Sequence, residues 1–252
     1  MAYTKLIPHS TPGAKVEEYA DGNGDKVHRL SIPSGAADQY RLAQLDDYAK
    51  NPRNQFPLRP PLHLSLTART SNSSIPGTWG FGLWNDPFGL SLGFGGNPFR
   101  LPALPNAVWF FGASEENYLS FRNDKPAQGF LAQTFRSPSF HPLLILAGLA
   151  LPFSRKVTRR LMGNVIAEDA ARLNVDATQW HRYRLEWRED RVSFEVDDAP
   201  VFESALSPRP PLGLVIWIDN QFAAFTPEGK IGFGVLKNPE PAWLEIKEVN
   251  VV

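Results

Sequence analysis

The stretch from Trp180 to Phe202 constrains the fold more than any other part of this chain. Apolar and charged residues alternate over 182–187, a charged turn follows at 188–191, and the alternation resumes over 192–196. Successive side chains of a β-strand point to opposite faces, so this pattern predicts a β-hairpin with one buried face and one solvent-facing face. A second turn at 197–200 leads into another short strand, which indicates an antiparallel sheet.

Other segments predict further short strands. Residues 62–69 alternate strictly, so Leu62, Leu64 and Leu66 are expected to share one face and His63 to lie on the other. Residues 212–219 are apolar on both faces, which is typical of a central strand covered on both sides. The last strand, 243–251, has a phase slip that a bulge near Lys247 would explain. The 19 Gly and 23 Pro favour many turns, and the whole pattern predicts an all-β, two-sheet antiparallel sandwich.

The domain organisation follows from the same patterns. Residues 1–26 are polar with little periodicity, so we predict an N-terminal arm, followed by a single domain over 27–252. Within that domain, 141–153 is continuously apolar but shorter than the roughly 20 residues needed to span a bilayer. A basic cluster and Ala-rich helix formers follow it through Leu173. We therefore predict a helical insertion around 139–173.

Three roles stay open for this insertion. It could be a helix packed on the sandwich, or a lid over a binding groove. It could also be an interfacial anchor, in which the apolar side of residues 142–160 enters lipid and the basic cluster meets anionic headgroups. The basic cluster consists of Arg155, Lys156, Arg159 and Arg160.

Charge and composition exclude several classes of function. The chain has 26 Lys+Arg and 26 Asp+Glu, and a net charge of zero argues against a dedicated nucleic-acid binder. The absence of cysteine from the sequence removes disulfides, thiolate metal sites and thiol nucleophiles. The first residues lack the apolar core of a signal peptide, so a cytoplasmic location is expected. No feature specifies the oligomeric state.

The segment 76–84, which contains Trp79 and Trp84, carries the first candidate ligand contact. Trp84 is expected on the same face as Gly80 and Gly82, opposite Phe81. Small neighbours would leave the indole ring open to a ligand, or they would let it fill space where glycines permit close packing. Both interpretations of Trp84 stay open.

Two more predicted strands add aromatic side chains. Trp109 and Phe111 share a face, as do Trp217 and Asp219. An aromatic floor with a few convergent polar groups is typical of a ligand pocket, although polar residues at strand ends also serve as turn or cap residues. The predicted ligand-binding residues are the aromatic side chains, the polar side chains at the strand ends and one histidine: Trp84, Asn85, Trp109, Phe111, Trp217, Asn220, Gln221 and His63.

The hairpin segments 180–187 and 191–198 resemble the outer-sheet hairpin of the concanavalin A-like lectin/glucanase superfamily, especially glycoside hydrolase family 16. Residues 76–84 resemble the tryptophan-bearing strand of that family, and 243–251 is similar to its last strand. The resemblance covers roughly 60–120 and 178–252. It implies a β-jelly roll with a concave groove that usually binds carbohydrate. Calcium is common in related folds, but no Asp-rich loop specifies it, and we predict no cofactor or resident metal.

The sequence departs from this family where the family carries its catalytic acids. The corresponding stretch, 106–114, contains no carboxylate, whereas a retaining glycosidase needs two carboxyl groups about 5 Å apart. The best remaining candidates for catalytic acids are Asp86 and Asp219, with Glu115 behind them. Glu116 would point away from Glu115 if the strand continued.

Three functions therefore stay open. The first is a carbohydrate-recognition module that lacks standard retaining-glycosidase chemistry and whose partner is a saccharide. The second is an enzyme on the same scaffold that uses other acids. The third is a protein that binds an apolar ligand or a membrane surface, with the insertion closing over an aromatic groove.

Overall fold

The computed structural model describes residues 6–87, 103–139 and 143–252. Two seven-stranded antiparallel sheets pack face to face, and a two-stranded hairpin lies beside them. In spatial order, sheet 1 contains β1 (Ile7–Ser10), β4 (Leu42–Asp46), β13 (Gly213–Asp219), β6 (Thr78–Trp84), β7 (Ala107–Ala113), β8 (Gly129–Arg136) and β9 (Ala167–Arg172).

Sheet 2 faces it and completes the predicted two-sheet jelly-roll sandwich. In spatial order, it contains β12 (Ala199–Ser204), β11 (Val192–Val196), β10 (His181–Trp187), β5 (Leu62–Thr70), β16 (Ala242–Val251), β3 (Lys26–Ile32) and β2 (Lys15–Ala20). The separate hairpin is formed by β14 (Gln221–Phe225) and β15 (Ile231–Val235), and the helices are α1 (Leu143–Ala150) and α2 (Arg155–Val165).

The main core lies between the two sheets and confirms the predicted alternation. Burial alternates along β5, β10 and β11, and Trp187 is fully buried with its indole N–H donating to Ser207 Oγ at 3.0 Å. Every residue of β13 is buried, as expected for a central strand. In β16 the register shifts between Lys247 and Asn250, with Glu248 at a φ of 56°, which confirms the bulge near Lys247.

The N-terminal residues differ from the predicted arm, because β1 and β2 extend one sheet each. Strand β2 pairs with β3 over Lys15–Ala20 and is fastened by a buried carboxylate. Glu245 of β16 accepts hydrogen bonds from the Tyr19 hydroxyl at 2.5 Å, from Arg29 Nε at 2.7 Å and from Arg69 Nε at 2.8 Å. These bonds join four strands, so 15–20 is an integral part of sheet 2.

The predicted insertion is helical only in part. Helices α1 and α2 lie within it, but Ala167–Arg172 forms strand β9, paired with β8, and the expectation of helix through Leu173 is wrong. Burial alternates over Glu168, Asp169 and Ala170, as in a strand with one covered face. Pairing with the open edge of β8 outweighs the weak helix propensity of the Ala-rich sequence.

Candidate functional site

The outer face of sheet 1, which points away from sheet 2, carries an aromatic cluster of four side chains: Trp84, Trp109, Phe111 and Trp217. The rings of Trp84 and Trp217 are nearly parallel, with centroids 6.1 Å apart and planes 4° apart. The rings of Trp109 and Phe111 stack at 5.3 Å. Trp109 and Phe111 share this face, and Trp84 lies opposite Phe81, which packs with its neighbours of the same parity into the core between the sheets.

Two glycines of β6 make room for this cluster. A Cβ at Gly82 would lie 2.5 Å from Cα of Trp109, and a Cβ at Gly80 would lie 2.9 Å from Cη2 of Trp217. The neighbouring strands therefore bring large rings over the two positions of β6 that have no side chain on this face. The space beside the glycines is filled by Trp109 and Trp217, while Trp84 at the end of β6 stays half-buried.

Most of the cluster is covered. Trp109, Phe111 and Trp217 are only 6%, 3% and 6% exposed. The residues packed over or around them come from loops and from the helical insertion, and they include Tyr48, Phe56, Leu104, Leu119, Phe121, Met162 and Ile166. The part of the cluster that solvent reaches is thus the Trp84 end.

Asp219 lies at the far end of β13, on the same face. Its Oδ1 accepts hydrogen bonds from the Thr78 hydroxyl at 2.8 Å and from the backbone N–H groups of Thr78 and Gln221, and its Oδ2 accepts from the Tyr40 hydroxyl at 3.2 Å. Trp217 Nε1 donates to the same Thr78 hydroxyl, at 3.0 Å. Burial raises the pKa of Asp219 to about 6 despite these bonds, because the charged form is poorly solvated.

A second buried carboxylate on this face was missed in the sequence. Glu168 of β9 lies opposite Phe135 of β8, whose ring is packed in the outer-face cluster of apolar residues. Oε1 of Glu168 accepts from Ser120 Oγ at 2.5 Å and from the Arg122 N–H at 2.6 Å, while its Oε2 has no hydrogen-bond partner among the described residues. Burial raises the pKa of Glu168. The alternation over 168–170 is the sequence pattern that could have identified Glu168 as a buried strand residue. It was overlooked because this segment was predicted to be helical.

The structure does not bring the candidate acids together. Asp219 pairs with Thr78 at the start of β6, whereas Asp86 follows Trp84 at its end, and a strand of this length spans about 20 Å at about 3.3 Å per residue. Glu168 lies four strands across the sheet from Asp219, or about 19 Å at the usual strand spacing. Neither Asp86 nor Glu168 can therefore act together with Asp219 on a single scissile bond.

The predicted polar contacts mostly hold loops in place. The Asn85 side chain donates to the Leu104 carbonyl at 2.9 Å and accepts from the Asn106 N–H at 3.0 Å. Asn220 is fully buried, accepts from the Arg41 N–H and donates to the carbonyls of Gln39 and Leu236. Gln221 is half-buried at the start of β14. The turn and cap interpretation therefore describes Asn85 and Asn220.

Two predicted site residues lie away from the cluster. His63 belongs to β5 and projects from the outer face of sheet 2, where its Nε2 lies 3.6 Å from Glu186 Oε1. Because Leu62 and Leu64 face the core, the intervening His63 faces away from it, on the opposite side of the molecule from Trp84. The prediction that His63 lies in the same groove as Trp84 is therefore wrong. Glu115 is exposed in the turn that follows β7.

The described residues offer no ready-made metal site. Nowhere in 6–87, 103–139 and 143–252 do three or more His, Asp or Glu side chains gather as metal ligands. In the same ranges, neither helix is long and apolar enough to cross a bilayer. A cytoplasmic location stays a prediction.

The structure also contains a cavity of about 300 Å³. Its lining includes Arg59, Arg136, Arg209 and Glu189 together with prolines, and none of the four aromatic residues. The cavity and the aromatic cluster are therefore separate features.

The described strands form a two-sheet antiparallel jelly roll. No family model and no curated protein matches the sequence, but solved structures match the fold. A glycoside hydrolase family 16 endo-glucanase from Bacteroides ovatus superposes with a TM-score of 0.52 at 12% identity, covering 98% of this chain and 94% of that one. A second Bacteroides ovatus structure, of a mixed-linkage-glucan family 16 protein with a G4G4G3G product, gives 0.51 at 10% identity over 98% and 94%. The fold-level resemblance seen in the sequence is confirmed.

Proposed function

We propose that this protein binds a saccharide at the Trp84 end of the aromatic cluster. The observation that carries the proposal is the pair of nearly parallel indole rings, Trp84 and Trp217, on the outer face of a jelly-roll sheet. Flat aromatic surfaces bordered by polar groups suit the apolar faces of sugar rings. Arg53, which donates to the backbone carbonyls of Asn85 and Asp86, holds the loop beside this end. The shared fold with a structure that contains a glucan product supports a β-glucan as the first ligand to test.

We also propose that this protein lacks standard retaining-glycosidase chemistry. Strand β7 presents only Ala107, Trp109, Phe111 and Ala113 to the outer face. Asp219 uses both of its carboxylate oxygens in hydrogen bonds to other parts of the chain. Glu168 stands too far from Asp219 for the two to act as nucleophile and acid on one bond.

Calorimetric titration with mixed-linkage glucan oligosaccharides tests binding. We expect saturable binding by the native protein and an affinity about fivefold or more weaker in Trp84→Ala, because a stacked ring contributes on the order of 1 kcal/mol or more. Trp84→Phe should retain part of the affinity. Trp180→Ala is the matched control, since Trp180 is a half-buried tryptophan on the outer side of sheet 2, against Arg69.

The outcomes separate the open functions. Equal affinities for Trp84→Ala and Trp180→Ala would exclude the Trp84 end as the site. Release of reducing ends by the native protein, lost in Asp219→Asn or Glu168→Gln, would instead establish an enzyme with non-standard acids.

An apolar ligand is the second candidate, and the burial of the cluster favours it. Trp109 and Phe111 are buried beneath apolar side chains that include Leu119, Phe121 and Met162, and Gln133, which accepts from Trp109 Nε1 at 3.1 Å, is the polar side chain bonded to this pair. Saturable binding of a fluorescent fatty acid with no response to glucans would replace the saccharide proposal. Loss of fatty-acid binding in Met162→Trp, whose larger side chain fills the space beside the cluster, would place the fatty-acid site there.

A further inference from the structure

Exposed apolar side chains concentrate on one part of the surface. Among the described residues, most of the large exposed apolar side chains belong to the helical insertion or to β15. Phe153 is 90% exposed and Leu149 is 65% exposed. The full set, which we call the apolar patch, is Leu146, Leu149, Leu151, Phe153, Val157, Ile231 and Phe233. Contiguous exposed apolar surface of this kind marks an interaction site.

The two elements that carry the patch are in contact. A Cβ at Gly229, in the turn of the β14–β15 hairpin, would lie 3.1 Å from Cγ of Lys156 and 3.3 Å from Cβ of Arg155. Arg159 of α2 is buried, and its guanidinium donates to the carbonyls of Phe225 at 2.8 Å and Ser120 at 2.7 Å. These bonds fix α2 to the hairpin, so the two elements that carry the patch are held side by side.

The tip of the patch is a tight apolar turn. The backbone N–H groups of Phe153 and Ser154 both donate to the Ala150 carbonyl, at 3.0 and 2.7 Å. Ser154 then caps α2 by accepting from the Val157 N–H. Residues 151–153, a Leu-Pro-Phe sequence in the turn between the two helices, are exposed.

Positive charge surrounds this apolar tip. Arg155, Lys156, Arg160 and Lys230 are exposed, and Glu228 is the acid whose charge interacts with Lys156 and Lys230. Residues 143–167 contain no Asp or Glu, and Glu228 is the acid beside the hairpin turn. Because the whole chain has zero net charge, this cationic surplus is a local property of the patch.

We propose that the apolar patch docks this protein onto an anionic lipid surface. An apolar turn entering the acyl boundary and a basic rim meeting lipid phosphates and carboxylates are the two components of interfacial binding. Helix α1 has eight residues, about 12 Å of helix, so the insertion lies in the interface and does not cross the bilayer. A second copy of the chain fits less well, because it would bring two basic rims together.

Vesicle co-sedimentation tests this docking. We expect the native protein to sediment with phosphatidylcholine vesicles containing phosphatidylserine, more weakly with phosphatidylcholine alone, and less as salt increases. The double variant Leu149→Ser/Phe153→Ser should lose about tenfold or more in vesicle affinity. Arg155→Glu/Arg160→Glu should abolish the dependence on phosphatidylserine. Val252→Ser is the matched control, because Val252 is 70% exposed and lies outside the patch.

Two results would overturn the proposal. One is vesicle binding that is absent, or equal in native protein and in Leu149→Ser/Phe153→Ser. The other is a stable dimer in sedimentation velocity that Phe153→Ser dissociates, since the patch would then be an interface between copies. Glucan binding by the same variants is expected to be unchanged, so this proposal and the saccharide proposal can fail separately.

Discussion

Asp219 and Glu245 are both buried carboxylates, yet their pKa values move in opposite directions. Burial raises the pKa of Asp219 to about 6, because its partners are neutral hydroxyl and N–H groups. Burial acts in the same direction on Glu245, but the Tyr19 hydroxyl and the guanidinium groups of Arg69 and Arg29 outweigh it and lower the pKa. Charged donors compensate for lost hydration where neutral donors do not.

Asp219→Asn is expected to change how stability depends on pH. The folded protein binds the Asp219 proton more tightly than the unfolded chain does, so stability falls as the pH rises from about 4 to about 6. The variant lacks this loss. Relative to the native protein, its free energy of unfolding should therefore improve by up to about 3 kcal/mol between pH 4 and pH 7, as measured by urea denaturation at each pH.

Asp197→Asn is the control for that experiment, since the hydrogen bond from His181 lowers the pKa of exposed Asp197. The relative stability of this control should fall as the pH rises through the acid range. A pH-independent difference between Asp219→Asn and the native protein would show that Asp219 titrates as an ordinary aspartate.

Individual elements show where local sequence was sufficient. The alternation in β5, β10 and β11 predicted both strands and faces, because one side of each strand packs on a shared core. Strand β9 was not predicted, because its pairing partner β8 lies more than thirty residues earlier in the chain. No local sequence pattern identifies so distant a partner. The propensity of alanine for helices is too weak to decide such a case.

Strand β6 allows a test of close packing. Gly80→Ala should lower the free energy of unfolding by about 1–3 kcal/mol, because the added Cβ would overlap the Phe110 carbonyl and press on the Trp217 ring. The near-ultraviolet circular dichroism of the tryptophans should change as well. Gly22→Ala is the control, with nothing within 4 Å of the added Cβ, and should stay within about 0.5 kcal/mol. Equal effects of the two substitutions would contradict the packing argument.

At the scale of the whole molecule, sheet 1 is covered on both faces while the insertion is largely exposed. We therefore expect backbone amides of β6, β7 and β13 to exchange with solvent more slowly than those of α1, by about three orders of magnitude. Hydrogen exchange followed by mass spectrometry measures this. Similar protection of α1 and β7 would indicate that the exposed side of the insertion is covered by another molecule in solution.

The sequence by itself determined the all-β class, the hairpin at 182–196, the bulge near Lys247 and the side of each strand on which Trp84, Trp109 and Trp217 lie. These properties depend on a two-residue period that can be read locally. Only the tertiary structure decided that 15–20 joins sheet 2, that Glu168 faces the aromatic cluster and that Asp86 and Asp219 stand at opposite ends of β6. Those facts depend on pairing between segments far apart in the chain, and strand order and register are set by burial of the whole core.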